Sequence, residues 1–158
     1  MATKWPSSRR CRVAEVGAGR FRIIDAPLAP LVIESSARMT NAGAGAFNIF
    51  EGRVRNEHRG RAVLRLDYQA YTRMAEHEGD KVLAEAIERF GLLDALCLHR
   101  VGRLEIGEPA VWVGALAGHR DASFGGCRYV IDEIKQRVPI WKREYYVDGE
   151  SDWIQGAG

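Results

Sequence analysis

Cysteine is scarce and scattered. Cys11, Cys97 and Cys127 are three in 158 residues, odd in number and without CxxC spacing. That excludes a disulfide framework and leaves no signature of a zinc site or redox pair, so a reducing, cytoplasmic compartment is expected. No run approaches the ~20 apolar residues of a membrane span. The opening MATKWPSSRRCRV lacks the apolar centre of a signal peptide. An excess of one charge sign is also missing. The formal net charge is +2, from 23 basic and 21 acidic residues, which is short of the strongly basic domain that nucleic-acid binding usually shows. There is no G-x-S-x-G elbow, Walker loop or H-E-x-x-H helix, and no carboxylate pair stands out. Gly43-Ala44-Gly45-Ala46 resembles part of a dinucleotide-binding loop, but it precedes a strand instead of following one.

What is present is the composition of an ordinary globular protein, 46% apolar and 28% charged. The length suits one domain over residues 19–158 behind a loose leader over 1–18, and a domain of this size buries roughly 70% of its unfolded surface without a staple. The charge is unevenly placed. Segment 53–61 carries four arginines and one glutamate, and segment 135–143 carries four cations and no acid. The rest of the chain is left net negative. Local positive charge on an acidic body suits a site for a small anion.

Periodicity gives a mixed order of elements. Short strands are expected over 21–25, 46–54, 62–68 and 94–101, with Gly52 marking a bulge or a close backbone approach. The run AVWVGALA (110–117) reads as a central strand. Helices are expected over 28–38, 71–90 and 122–138. The last carries Phe124, Cys127, Ile131, Ile134 and Val138 on one stripe, has Asp121 as N-cap, and is stopped by Pro139. Residues 56–60 and 104–109 read as loop and turn, and a terminal hairpin is expected around Asp148-Gly149. Gly79 inside the second helix weakens it by about 1 kcal/mol relative to alanine. Strand, helix, two strands, helix, two strands, helix is an α+β plan, not a regular βα alternation.

Chemistry concentrates around the third helix. Lys135 lies at the border of the apolar stripe, and Lys142 follows the proline break seven residues later. A lysine there is either a snorkelling side chain or an anion-binding or acid–base group whose pKa responds to burial. His119-Arg120 stands between the apolar strand and the helix start, where free N–H groups favour anions; a capped turn with a solvent-facing arginine fits equally well. Arg53 and Arg55 lead into a polar loop with His58, Arg59 and Arg61, which reads as solvated. His99 reads as a packing histidine and His77 as a surface one.

Taken together these segments resemble the large, catalytic subunits of molybdopterin synthase, the MoaE family. The resemblance rests on Gly45-Ala46-Phe47 through Phe50-Glu51-Gly52-Arg53-Val54-Arg55, on Leu66-Asp67-Tyr68-Gln69-Ala70-Tyr71 with Met74, and on His99-Arg100-Val101-Gly102-Arg103-Leu104 with Gly107-Glu108. It continues through His119-Arg120 and Lys135 to Pro139-Ile140-Trp141-Lys142-Arg143-Glu144, then Trp153. It implies an α/β-hammerhead core with a small added antiparallel β subdomain. It also implies a homodimer inside a heterotetramer with two small ubiquitin-like sulfur carriers ending in Gly-Gly. The implied reaction moves sulfur from the carrier's C-terminal thiocarboxylate to cyclic pyranopterin monophosphate, forming the molybdopterin dithiolene with no metal or redox cofactor. By the same resemblance Lys135 and Lys142 are catalytic. Arg55, His119 and Arg120 bind substrate in a pocket completed across the dimer. Lys135 would be partly desolvated and assist proton transfer or charge stabilisation, while Lys142 would hold the thiocarboxylate. Two departures stand out: Gly79 at an otherwise apolar helical position, and a chain ending five residues after Trp153 without a basic extension. No fused ubiquitin-like domain is present, so the donor would be a separate polypeptide. The alternative is a non-catalytic module that binds a ubiquitin-like sulfur-carrier tail.

Overall fold

The computed structural model describes residues 19–156; the expected leader and Cys11 lie outside them. Four strands, β1 (Phe21–Ile24), β2 (Ala46–Arg53), β5 (Asp94–Arg100) and β7 (Pro109–Ala117), form one sheet in the order β1-β5-β7-β2. β1 runs parallel to β5, and the other two pairings are antiparallel. β7 is interior, as its unbroken apolar run implies. Its alternate side chains feed two cores. Val111, Val113, Ala115 and Ala117 join the main one, while Trp112 and Leu116 meet Ile24, Leu28, Met39 and Leu98 on the other face. A strand covered on both faces has no solvent side on which to place polar residues. Gly52 sits at a register shift against β7, the expected bulge.

Three helices cover this sheet. α1 (Ala29–Arg38) lies over the smaller core, with a proline in its first turn. α2 (Thr72–Phe90) packs against β1 and β5, α3 (Arg120–Arg137) against β7 and β2, and the two helices against each other. Arg137 links them by donating to Glu78 and Glu85. Gly91 ends α2 at φ 63, a left-handed position that favours glycine. Gly79 does not simply loosen this helix. It is buried, and a Cβ there would overlap the Phe21 ring. The glycine is a docking notch for β1.

The second sheet is built on β4 (Arg61–Ala70) and β8 (Ile140–Tyr146), paired antiparallel. Four short strands complete it: β3 (Glu57–His58), β6 (Gly102–Glu105), β9 (Gly149–Glu150) and β10 (Ile154–Gln155). This is the expected α+β architecture with an added antiparallel sheet, but several local readings change. Segment 104–109 begins inside β6, which pairs with β4. The loop over 56–60 contains β3. The stretch after Pro139, to which the sequence assigned no element before the expected hairpin, is the strand β8. In the expected terminal hairpin only the first half holds, with β9 folding back on Tyr145 and Tyr146. β10 instead pairs with Lys142 and Trp141. β6 and β8 gain their pairing from β4, distant in the chain, which local periodicity does not report, whereas β3 and β9 are short arms of two-residue hairpins.

Candidate functional site

Side chains at i, i+2 and i+4 of a strand share one face. In β8 the inward face carries Ile140, Lys142, Glu144 and Tyr146, while Trp141, Arg143 and Tyr145 are only half-buried. Two charged residues are thus turned inward, Lys142 at 6% exposure and Glu144 at 3%. Buried charges persist only when paired and hydrogen-bonded. Lys142 Nζ donates to Glu144 Oε1 at 3.0 Å. Glu144 Oε2 accepts from the Tyr146 hydroxyl and, at 2.7 Å, from His58 Nδ1. Burial alone would raise the Glu144 pKa. The hydrogen bonds from Tyr146, His58 and Lys142, with the nearby ammonium, outweigh it and hold the carboxyl at about 2.

His58 reaches this carboxylate from the β3–β4 hairpin. It pairs with Arg61 across a two-residue turn formed by Arg59 at φ 52 and Gly60 at φ 76, the pattern of a type I′ turn. Arg61 in turn lies over the Tyr146 ring, 3.7 Å from its centre, and pairs with Asp148. The hairpin therefore supplies one of the three donors to Glu144, His58, and packs Arg61 over a second, Tyr146.

A cavity of about 210 Å³ opens beside this cluster, lined by Arg55, His58, Tyr68, Lys135, Lys142 and Glu144 among others. Arg55 follows the end of β2, and Lys135 projects from the last turn of α3. Both are exposed, and among the described residues neither has a carboxylate partner within ion-pair distance. Lys142 and Glu144 largely neutralise one another. The uncommitted positive charge at the cavity is therefore that of Arg55 and Lys135; Glu57 on the same lining offsets one of them, and the recess keeps a net positive charge that suits anionic groups. Burial and the neighbouring Glu144 push the Tyr68 hydroxyl up to about 12, so it remains a neutral donor on the wall.

Three of the five expected site residues, Arg55, Lys135 and Lys142, thus share one recess. The burial of the lysines is the reverse of expectation: Lys142 is enclosed and Lys135 is exposed. His119 and Arg120 are not part of this recess in a single chain. His119 is the N-cap of α3 and Arg120 its first residue, both exposed. Lys135 is four turns further on, roughly 22–24 Å away at the rise of an α-helix. The expected cap, Asp121, lies in the first turn instead, where its charge faces the helix dipole. Phe124, expected in the core, is 61% exposed and lines a groove with Ile49, Phe50 and Lys135. His99 is a packing histidine as expected. It is buried against Tyr68, and burial lowers its pKa to about 4 although the Arg100 carbonyl opposes the shift.

The residues that sequence reasoning missed are Glu144, Tyr146 and His58. The first two carried a signal: Lys142, Glu144 and Tyr146 alternate, so one strand face holds all three. His58 carried none, because its partner lies 86 residues away. Among the described residues no cluster of three His, Cys, Asp or Glu is arranged to hold a metal ion. Cys97 and Cys127 are free, and burial raises both thiols, Cys127 to about 11. Neither is poised as a thiolate.

Comparison with known proteins shows the family and the fold. The family model described as MoaE protein matches residues 25–137. The molybdopterin synthase catalytic subunit of Pyrococcus abyssi is 40% identical over 141 residues, covering 89% of this chain and 95% of that protein. The crystal structure of molybdopterin synthase from Staphylococcus aureus superposes with a TM-score of 0.78 at 32% identity, over 89% of this chain and all of that one. A complex of subunits 1 and 2 of molybdopterin-converting factor from Helicobacter pylori shares the fold, with a TM-score of 0.68 at 21% identity over 85% of this chain and 88% of that one.

Proposed function

The chain belongs to the MoaE protein family, and we propose that it is the catalytic subunit of a molybdopterin synthase. It transfers sulfur from the thiocarboxylated C-terminus of a small ubiquitin-like carrier to cyclic pyranopterin monophosphate, forming the molybdopterin dithiolene. The observation that carries the reading is the cavity shared by Lys135, Lys142 and Arg55. Both reactants bring negative charge, one as phosphate and one as thiocarboxylate, and cations aimed into a recess stabilise such charge more strongly than in water. Lys142, fixed by Glu144, holds the carrier's thiocarboxylate. Arg55 holds the phosphate or pterin. Lys135 at the mouth stabilises charge or moves a proton as the carbon–sulfur bond forms, once the bound carrier tail closes off water.

His119 and Arg120 serve the cavity of a second copy. They lie too far along α3 to serve their own, and a two-fold dimer whose interface takes in the start of α3 brings each copy's pair to the other's cavity. The carrier is a separate polypeptide, in line with the two-subunit complex known for the Helicobacter pylori protein, and the assembly is a heterotetramer built on a homodimer. A cytoplasmic location fits two free thiols and the absence, among the described residues, of any helix long and apolar enough to cross a membrane.

Reconstitution with a thiocarboxylated carrier and cyclic pyranopterin monophosphate tests the reading through molybdopterin formation. Lys135→Ala is expected to abolish turnover while carrier binding persists. Near-normal turnover by that variant rejects the assigned role. Carrier binding without turnover by the parent chain favours the non-catalytic module instead.

A further inference from the structure

Three donors meet on one carboxylate at the cavity wall, and one comes from a hairpin that the reaction reading leaves unused. We propose that His58 is a positioning residue of the sulfur-transfer site, acting through Glu144 to fix where the Lys142 ammonium points. This deepens the reading of the cavity given above and rests on it.

The geometry makes the case. Glu144 Oε1 accepts from Lys142 Nζ at 3.0 Å, and Oε2 accepts from His58 Nδ1 at 2.7 Å and from Tyr146. A carboxylate is planar, so pinning Oε2 also sets the direction of Oε1. Tyr146 sits on the same strand as Glu144, only two residues along. His58 approaches from a different element and completes the grip. An ionised carboxylate only accepts, so His58 donates from Nδ1. The imidazole is carried on a tight hairpin, in which His58 pairs with Arg61 across the two-residue turn of Arg59 and Gly60. Arg61, closing that turn, lies over the Tyr146 ring. The groups facing Glu144 are therefore His58, Arg61 and Tyr68 from the hairpin, and Lys142 and Tyr146 from its own strand.

The reaction has use for such a grip. A lysine head on a four-carbon stem has little direction of its own. An incoming thiocarboxylate must share the Lys142 ammonium with Glu144. A carboxylate already satisfied by His58 and Tyr146 can give up part of that contact without being left buried and unpaired, which is the costly outcome. The hydrogen bond from His58 also contributes to keeping Glu144 ionised.

The test compares His58→Phe, which removes the donor but keeps the ring, with His58→Asn, which keeps an N–H donor near the Nδ1 position. His58→Leu serves as a second donor-less variant should phenylalanine disturb folding. Each is assembled with the thiocarboxylated carrier and assayed with cyclic pyranopterin monophosphate. The donor-less variants are expected to lose about tenfold in kcat, the worth of one hydrogen bond to a charged group, with KM for the pterin little changed. His58→Asn is expected to recover most of that loss. Carbon-13 NMR of the Glu144 side chain provides a readout independent of turnover: the carboxyl should protonate at higher pH in the donor-less variants than in the parent and the asparagine variant. Parent-like kcat in the donor-less variants, an equal loss in His58→Asn, or an unmoved Glu144 titration overturns the proposal. If the parent chain makes no molybdopterin, the sulfur-transfer reading fails, and the Glu144 titration then decides the His58 contact by itself.

Discussion

Replacing Glu144 by glutamine keeps the shape of the side chain and an acceptor for Lys142 but removes the charge. In the folded chain the carboxyl is held at about 2 against an ordinary 4.5. At about 1.4 kcal/mol per tenfold change in proton affinity, that displacement corresponds to roughly 3 kcal/mol of stability at neutral pH. The neighbouring cavity admits water, which reduces the expected effect to about 2 kcal/mol. Because the folded-state pKa is depressed, the contribution is complete above the ordinary carboxylate range and fades as pH falls through it toward about 2. Glu144→Gln should therefore unfold at a urea concentration lower by about 1 M at pH 7. Its deficit should be less than half as large at pH 3. Urea titrations of the parent and the variant at both pH values, followed by tryptophan fluorescence, measure this directly. A deficit equal at the two pH values, or below about 0.5 kcal/mol at pH 7, would show that the buried ion pair does not carry the stability assigned to it.

Two further outcomes follow from the fold and the assembly. Gly79→Ala forces a methyl group into the Phe21 ring and should cost about 1–3 kcal/mol by overpacking. That lowers Tm by several degrees in calorimetry, and an unchanged Tm contradicts the notch between α2 and β1. If His119 and Arg120 serve the second copy's cavity, mixing a Lys142→Ala chain with a His119→Ala/Arg120→Ala chain should restore about a quarter of parental turnover. Half of the dimers then hold one intact site of two. No recovery on mixing means the three side chains do not combine across copies.

The sequence alone determined those features that depend on neighbours along the chain. The apolar run 110–117 marked an interior strand, and the periodic stripes and Pro139 marked α2, α3 and the end of α3. The charge imbalance of 53–61 and 135–143 raised the expectation of an anion site, and the cation-rich stretch around Pro139 contributed to the resemblance on which Lys135, Lys142 and Arg55 were named. Tertiary structure decided whatever depends on contacts between distant segments. Pairing with β4 along most of its length makes a strand of residues 140–146, and that strand turns Lys142 and Glu144 inward together. Only the β3–β4 hairpin brings His58 to Glu144 from 86 residues away. Only the packing of Phe21 shows why position 79 is glycine. Helical periodicity is a short-range property written in spacing. The burial of a charge is a property of the partner that meets it, and no spacing within one segment encodes that partner.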